Sequence, residues 1–274
     1  MKNHLFVPDE IKKHLSGDAF QALMQMYGKA FRDVRGRKTI QVTLGSKSYF
    51  IKQHFGVGWA EIFKNLLSGK RPILGAMTEV DAIQKLDEIG INTTPLIAYG
   101  IRGGNPATQQ SFVITADLGN IISLEDLCVT WKDNPPTITF KRKLIIAVAQ
   151  LANTLHINDL CHRDFYLCHL CLDKALLQQG EIKLYLIDLH RMEHGNNAEK
   201  LKDIAALYFS SLEAGLSTRD FLRFKKYYVQ QNVIFWQKVI HRAQQLNAKF
   251  YGLKFQQKLA KERAALSNKA PEKL

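Results

Sequence analysis

Four ionisable residues, met in a fixed order along the 274-residue chain, constrain its fold more than its composition does. Lys52 closes the strand-like run Ser48-Tyr49-Phe50-Ile51-Lys52, which follows a second such run, Thr39 to Leu44, across a Gly45-Ser46 turn. Glu79 stands in the first turn of a segment whose apolar residues Val80, Ile83 and Leu86 have helical spacing. Asp164 follows His162 and Arg163 in a loop, and Asp188 ends the apolar run Leu184-Tyr185-Leu186-Ile187. Each motif alone recurs by chance. Taken in order, they ask for a fold that carries a strand lysine, a helix glutamate and two aspartates from distant parts of the chain into one cleft.

Protein-kinase-like phosphotransferases present such groups in this order. There the first aspartate orients a substrate hydroxyl and accepts its proton, and the second holds Mg²⁺ on the nucleotide phosphates. The lysine needs a carboxylate partner to fix its ammonium against those phosphates. The fold expected is α+β and two-lobed: an antiparallel sheet with one main helix over residues 1–116, then a mostly helical lobe over 117–274. ATP and Mg²⁺ are the expected cofactors. No Gly-x-Gly-x-x-Gly covers the phosphates. Arg35, Gly36, Arg37 and Lys38 stand where that loop belongs, and positive side chains there supply what fewer backbone amides do not. A solvated basic hairpin is the alternative. Asp117 and Leu118 fall at the hinge between the lobes, where backbone groups would meet an adenine edge.

The formal net charge of +13 draws the chain to phosphates, nucleic acid or anionic membrane and says nothing about fold. No apolar run has the length of a membrane span and the N-terminus has no secretory pattern, so a cytoplasmic protein is expected. Of the four cysteines, Cys161, Cys168 and Cys171 surround the His-Arg-Asp loop, which suits a reduced compartment better than a disulfide framework. Cys168 and Cys171 have Cys-x-x-Cys spacing, but a structural zinc site draws on two such pairs and there is no second. Buried thiols are the simpler account.

Residues 1–30 read as one or two short helices, with Phe20, Leu23, Met24 and Tyr27 at helical spacing, and Phe31 to His54 as a strand pair. An insertion over residues 56–72 follows. Its Trp59, Ile62, Phe63, Leu66 and Leu67 share one helical face with Lys64, Lys70 and Arg71 off it or beyond. Such a stripe is ordinarily core, and contact with a membrane surface is the sharper alternative. Ile91 to Ile101 and Ser111 to Thr115 suggest two more strands, and Phe140 to His156 a helix leading into the His-Arg-Asp loop. Only residues 189–202 separate Asp188 from Asp203, too few for the long segment with which protein kinases bind a peptide. Asp203 opens a helix that it would cap, bracing the loop from below. Beyond Phe221 the chain is helical and basic, with Phe221, Phe224, Tyr228, Phe235, Val239 and Ile240 as core positions and a fraying charged tail after Lys254.

Five residues after Asp164 a protein kinase carries a metal-binding Asn, and here His169 stands. An imidazole is a poor ligand for hard Mg²⁺, so either one metal suffices or His169 acts through a water or on a phosphate. The run Cys161 to His169, Ile187-Asp188-Leu189-His190-Arg191, the stretch from Gly56 to Leu67, and Lys202-Asp203-Ile204-Ala205-Ala206-Leu207-Tyr208-Phe209 together resemble the lipopolysaccharide core heptose-I kinases, over about Phe31 to Phe224. His169 is that family's own pattern. The related Kdo kinases share the fold and differ in this loop. The resemblance implies ATP- and Mg²⁺-dependent phosphorylation of the first inner-core heptose at its 4-hydroxyl, on the cytoplasmic face of the inner membrane. It makes Asp164 the base, Asp188 the metal ligand, and Lys52 with Glu79 the phosphate-positioning pair. Arg163 braces the loop and His162 packs beneath it. The implied partner is the glycolipid; the net charge of +13 and the Trp-led insertion independently suit an anionic membrane surface, and the basic surface also suits a small acidic carrier protein. A protein kinase and a non-enzymatic basic scaffold are the rivals. The four intact residues disfavour the scaffold, and no nucleic acid partner is expected.

Overall fold

Alternation of buried and solvent-facing side chains builds the first lobe. The structure, a computed structural model, describes residues 3–34, 36–67, 72–228 and 231–267. The lobe opens with β1 (His4–Phe6), α1 (Asp9–Lys12), α2 (Ala19–Met24), β2 (Lys29–Val34), β3 (Arg37–Leu44) and β4 (Lys47–His54). Two helices, α3 (Gly58–Leu67) and α4 (Met77–Glu88), then precede β5 (Leu96–Arg102) and β6 (Gln110–Ala116). The six strands make one antiparallel sheet in the order β1-β5-β6-β4-β3-β2. Ile40 and Val42 of β3 and Tyr49 and Ile51 of β4 are buried in the lobe core. The strand period of two therefore sends Lys52 to the other face of β4, toward the second lobe. Gly45, at φ 62°, permits the two-residue turn that pairs Leu44 with Lys47 and sets this register.

The structure corrects three expectations for this lobe. The first residues include a strand, β1, paired with β5, too short for any periodicity to announce it. Tyr27 lies beyond the end of α2 and is exposed, whereas Phe20, Leu23 and Met24 are buried as their spacing predicts. Residues 29–54 form three strands rather than two. The insertion helix is present as α3, yet of its apolar stripe only Ile62 is buried; Trp59, Phe63, Leu66 and Leu67 face solvent. Lys70 and Arg71 lie outside the described residues.

In the second lobe β7 (Ile121–Ser123), α5 (Leu124–Cys128) and the long α6 (Ile138–Ile157) lead to β8 (Leu160–Cys161). After the loop come β9 (Leu170–Asp173), α7 (Lys174–Gln178), β10 (Leu184–Leu186) and β11 (Glu193–His194). The chain then runs through α8 (Asn197–Ser211), α9 (Thr218–Tyr227), α10 (Val233–Phe250) and α11 (Leu253–Ser267). Leu144, Val148, Ala152 and Leu155 form the buried stripe of α6. They join a core that also takes Ile83 and Leu86 from α4, so α4 packs against both lobes and its Glu79 is fixed relative to each. Tyr228, Phe235 and Val239 are buried as expected, with Phe221 and Phe224 packed at the edge. Where a frayed tail was expected after Lys254, α11 continues to Ser267.

One further correction bears on the site. Asp203 does not cap α8. Asn196 and Glu199 form a reciprocal capping box at its start, and Asp203 sits two turns inside the helix with its carboxylate 1% exposed. Relieved of the cap, that carboxylate is directed at the His-Arg-Asp loop.

Candidate active site

The two aspartate-bearing segments both run through backbone that side chains resist. Arg163 has φ 72° and Asp188 φ 62°, left-handed values that cost a residue with a Cβ roughly 1–2 kcal/mol each. Asp203 holds the first in place. Its Oδ2 accepts the amide of His162 at 2.7 Å and its Oδ1 that of Arg163 at 2.8 Å. His156 lies 3.3 Å from the same Oδ2 through Nε2 and 2.6 Å from the Tyr228 hydroxyl through Nδ1. His162 fastens the second segment to the first: its Nε2–H donates to the Ile187 carbonyl at 2.9 Å. Burial lowers its pKa, so the ring is neutral. The Arg163 guanidinium turns away from the cleft to pair with Glu193 of β11.

Within the cleft, Lys52 Nζ lies 2.7 Å from Glu79 Oε1 and 3.2 Å from Asp188 Oδ1. Desolvation opposes the charge on Lys52, but the charges of Glu79 and Asp188 outweigh it and raise its pKa. Burial likewise opposes ionisation of Asp188. The hydrogen bond from His190 Nδ1 at 2.8 Å and the charges of Lys52, His190 and His169 prevail, and hold this carboxyl well below the usual range. Both hydrogen bonds fall on Oδ1, while Oδ2 faces His169 Nε2 at 3.7 Å. The other ring nitrogen of His169, Nδ1, donates to the Asp164 carbonyl at 2.7 Å. His169 thus spans the two aspartate segments. Asp164 itself accepts from Arg191 Nη1 at 3.1 Å through Oδ1.

This donor set fits a hard divalent cation of the Mg²⁺ type. Such an ion is held by one or two carboxylates and completes its shell with phosphate oxygens and water, and Asp188 offers one ionised carboxylate with Oδ2 turned to the cleft. It does not fit zinc at the cysteines. Burial pushes Cys161 up to about 12 and Cys168 and Cys171 up to about 11, so all three are thiols at neutral pH. The His156, Cys161 and Asp203 cluster has both Asp203 oxygens committed to backbone amides.

Of the basic turn, Arg37 reaches the cleft: burial and then the charge of Arg32 lower its pKa, while Asp188 and Glu79 act on it in the opposite sense. Lys38 instead lies over the Tyr27 ring. Gly36, at φ 78°, packs against the Gly56 carbonyl, and Arg35 lies outside the described residues. Asp117 accepts hydrogen bonds from Gln41, Ser48 and the Gly119 amide, so its side chain ties the segment after β6 to β3 and β4. Leu118, beside it, is half-buried. No role was read from the sequence for His190 and Arg191, which stood only within a motif, or for His54. The first two could have been suspected from their nearness to Asp188 in the chain. His54 is buried beside Arg37, Lys52 and His190, and desolvation foremost takes its pKa down to about 3.

A two-lobed α+β fold with a strand lysine paired to a helix glutamate, and two aspartates on braced turns below, defines a protein-kinase-like protein. A profile of the lipopolysaccharide kinase (Kdo/WaaP) family matches residues 21–228. The chain is 40% identical over 233 residues to the lipopolysaccharide core heptose(I) kinase WaaP of Pseudomonas aeruginosa PAO1, covering 83% of this chain and 87% of that one. It is 43% identical over 215 residues to the WaaP of Escherichia coli K12, covering 77% and 81%. A solved structure described as WaaP in complex with acyl carrier protein superposes with a TM-score of 0.76 at 32% identity, over 89% of this chain and 99% of that one. The chain belongs to the lipopolysaccharide kinase (Kdo/WaaP) family.

Two outcomes are expected. Asp203→Asn presents an amide N–H₂ to one of two backbone donors. It should destabilise the fold by about 2–3 kcal/mol in denaturant melts and lower kcat more than it raises the KM for nucleotide. Between pH 6.5 and about 3 the unfolded chain binds a proton at His54 that the folded chain does not. Stability therefore falls as pH falls through that window, by about 1.4 kcal/mol per pH unit for this group. In melts between about pH 5.5 and pH 4.5, where His54 of the unfolded chain is almost fully protonated, His54→Gln should flatten the slope by close to that amount.

Proposed function

We propose that the chain transfers the γ-phosphoryl group of ATP to the 4-hydroxyl of the first heptose of the lipopolysaccharide inner core, working at the inner face of the inner membrane. The observation that carries this reading is the Lys52–Glu79–Asp188 chain of charges above a loop that presents Asp164, in a family whose curated relatives are named heptose(I) kinases. Lys52, held by Glu79, orients the nucleotide phosphates, and Arg37 adds positive charge above them. Asp188 would hold Mg²⁺, with His169 acting through a water or on a phosphate, and the ion would supply positive charge to the phosphates. Asp164 takes the proton of the heptose hydroxyl as its oxygen bonds to phosphorus and the bond to the β-phosphate oxygen breaks. Arg191, paired with Asp164 through Nη1, adds positive charge beside the base. Arg163 and His162 act on the loop rather than on substrate, and the hinge at Asp117 and Leu118 meets the adenine through backbone groups. An anionic, membrane-embedded acceptor suits a chain of net charge +13.

The test is phosphate transfer from labelled ATP with Mg²⁺ to purified inner-core lipopolysaccharide lacking the heptose phosphate. Asp164→Ala should lose roughly 10²–10⁴-fold in kcat while still binding nucleotide. Label found on the Kdo residues would shift the reading to the Kdo kinases, and label on the chain itself without glycolipid would shift it to a protein kinase.

A specific observation favours an acyl carrier protein as an additional partner. The helical lobe holds a cavity of about 500 Å³ whose lining includes Leu124, Trp131, Leu144, Val148, Ile204 and Leu207. Its chemistry suits the acyl chain that such a carrier bears, and the basic surface of the chain suits the carrier's acidity. Long-chain acyl carrier protein should bind at least about tenfold more tightly than the unacylated form by calorimetry. Equal affinities would leave the cavity without this role.

A further inference from the structure

The insertion helix α3 is a short amphipathic helix built onto the lobe with its apolar face outward. Only Ile62, 5% exposed, anchors it. Trp59, Phe63, Leu66 and Leu67 are 50%, 56%, 55% and 90% exposed, and the Trp59 and Phe63 rings stack with centroids 5.7 Å apart. Glu61, Lys64 and Asn65 bond to one another and make its polar side. The helix is not a loose tail. The Phe55 amide donates to the Gly36 carbonyl and the Gly58 amide to the Ala107 carbonyl. Gly56, at φ 87°, lies so close to Ala107 that a Cβ would fall 2.6 Å from its carbonyl oxygen. The start of α3 is thereby fixed against two other loops, beside the β2–β3 turn, with Lys38 in β3 just after that turn and Arg32 on the exposed strand leading to it.

We infer that α3 docks the chain on an anionic phospholipid surface, with Trp59, Phe63, Leu66 and Leu67 entering the headgroup–acyl boundary. At ten residues the helix is about 15 Å long, half of a roughly 30 Å hydrocarbon core, so it lies in the interface plane and does not cross. Four protruding side chains on one helix offer far less than the approximately 800 Å² per partner of a stable protein interface. A bilayer needs no such shape match. The neighbouring Lys38 and Arg32 and the net charge of +13 set the sign of the surface. α3 begins six residues after Lys52 in the chain, so docking there brings the cleft to the membrane in which the proposed acceptor is anchored. The inference rests on the proposed function for that purpose alone.

The test uses the full chain and vesicles of phosphatidylethanolamine with phosphatidylglycerol, without glycolipid. Wild type should float with the vesicles, and Trp59 emission should shift to the blue and be quenched by brominated lipid. Phe63→Ser with Leu67→Ser, both solvent-facing changes, should weaken flotation at least about tenfold. The same double variant should phosphorylate a water-soluble, deacylated acceptor at the wild-type rate and lose turnover only on membrane-embedded glycolipid. Undiminished flotation of the variant would overturn the inference. So would equal binding to purely zwitterionic vesicles, or a wild-type dimer that the variant dissociates. Failure of both proteins on the soluble acceptor would instead count against the proposed function and leave the vesicle result standing.

Discussion

A single buried carboxylate, that of Asp203, sets the geometry on which the rest of the site depends. Two adjacent backbone amides, those of His162 and Arg163, point at its two oxygens. An ionised acceptor makes such bonds roughly twice as strong as neutral ones, which offsets the left-handed backbone forced on Arg163. Because the carboxylate belongs to the middle of α8, the loop takes its position from a helix embedded in the core rather than from its own flexible neighbours. His162 carries this order across to Ile187 and hence to Asp188. Removing the charge at Asp203 disturbs both aspartates without touching either.

The cleft above this platform is a balance of charges rather than a cluster of one sign. Lys52 bridges the buried Glu79 and the ionised Asp188, and His190 adds a second donor to the same Asp188 oxygen. Arg37 from above and Arg191 from the side bring further positive charge without closing on Asp188. One carboxylate oxygen, Oδ2, is left turned to His169. Cationic side chains thus stand around the cleft of a chain whose sequence has no Gly-x-Gly-x-x-Gly.

Much of this was legible in the chain because it rests on order and period. The strand-like run from Ser48 ended in Lys52, and the helical spacing of Val80, Ile83 and Leu86 put Glu79 in the first turn of a helix. The order of four residues then implied two lobes. What could not be read had its cause in tertiary contacts. β1 is defined only by its pairing with β5. The apolar period of α3 has the form of a core helix, and nothing local tells a reader that the lobe was already full without it. Asp203 had the look of a cap because Asx residues favour helix starts, but Asn196 and Glu199 had taken that place. The partners of His190 and Arg191 across the cleft carry no signal in linear sequence.

The link from Asp188 to α8 is short and sewn down. Glu193 and His194 pair with β8, the Gly195 amide donates to the Asp159 carbonyl, and the Met192 amide folds back on Leu189. Arg163 grips Glu193 from below. In protein kinases the corresponding stretch is a switch, ordered or released by phosphorylation. Here the stretch is short and paired along its length. A link stitched at each of these points holds Asp188 and α8 at a set spacing, without the ordering step that a long segment requires.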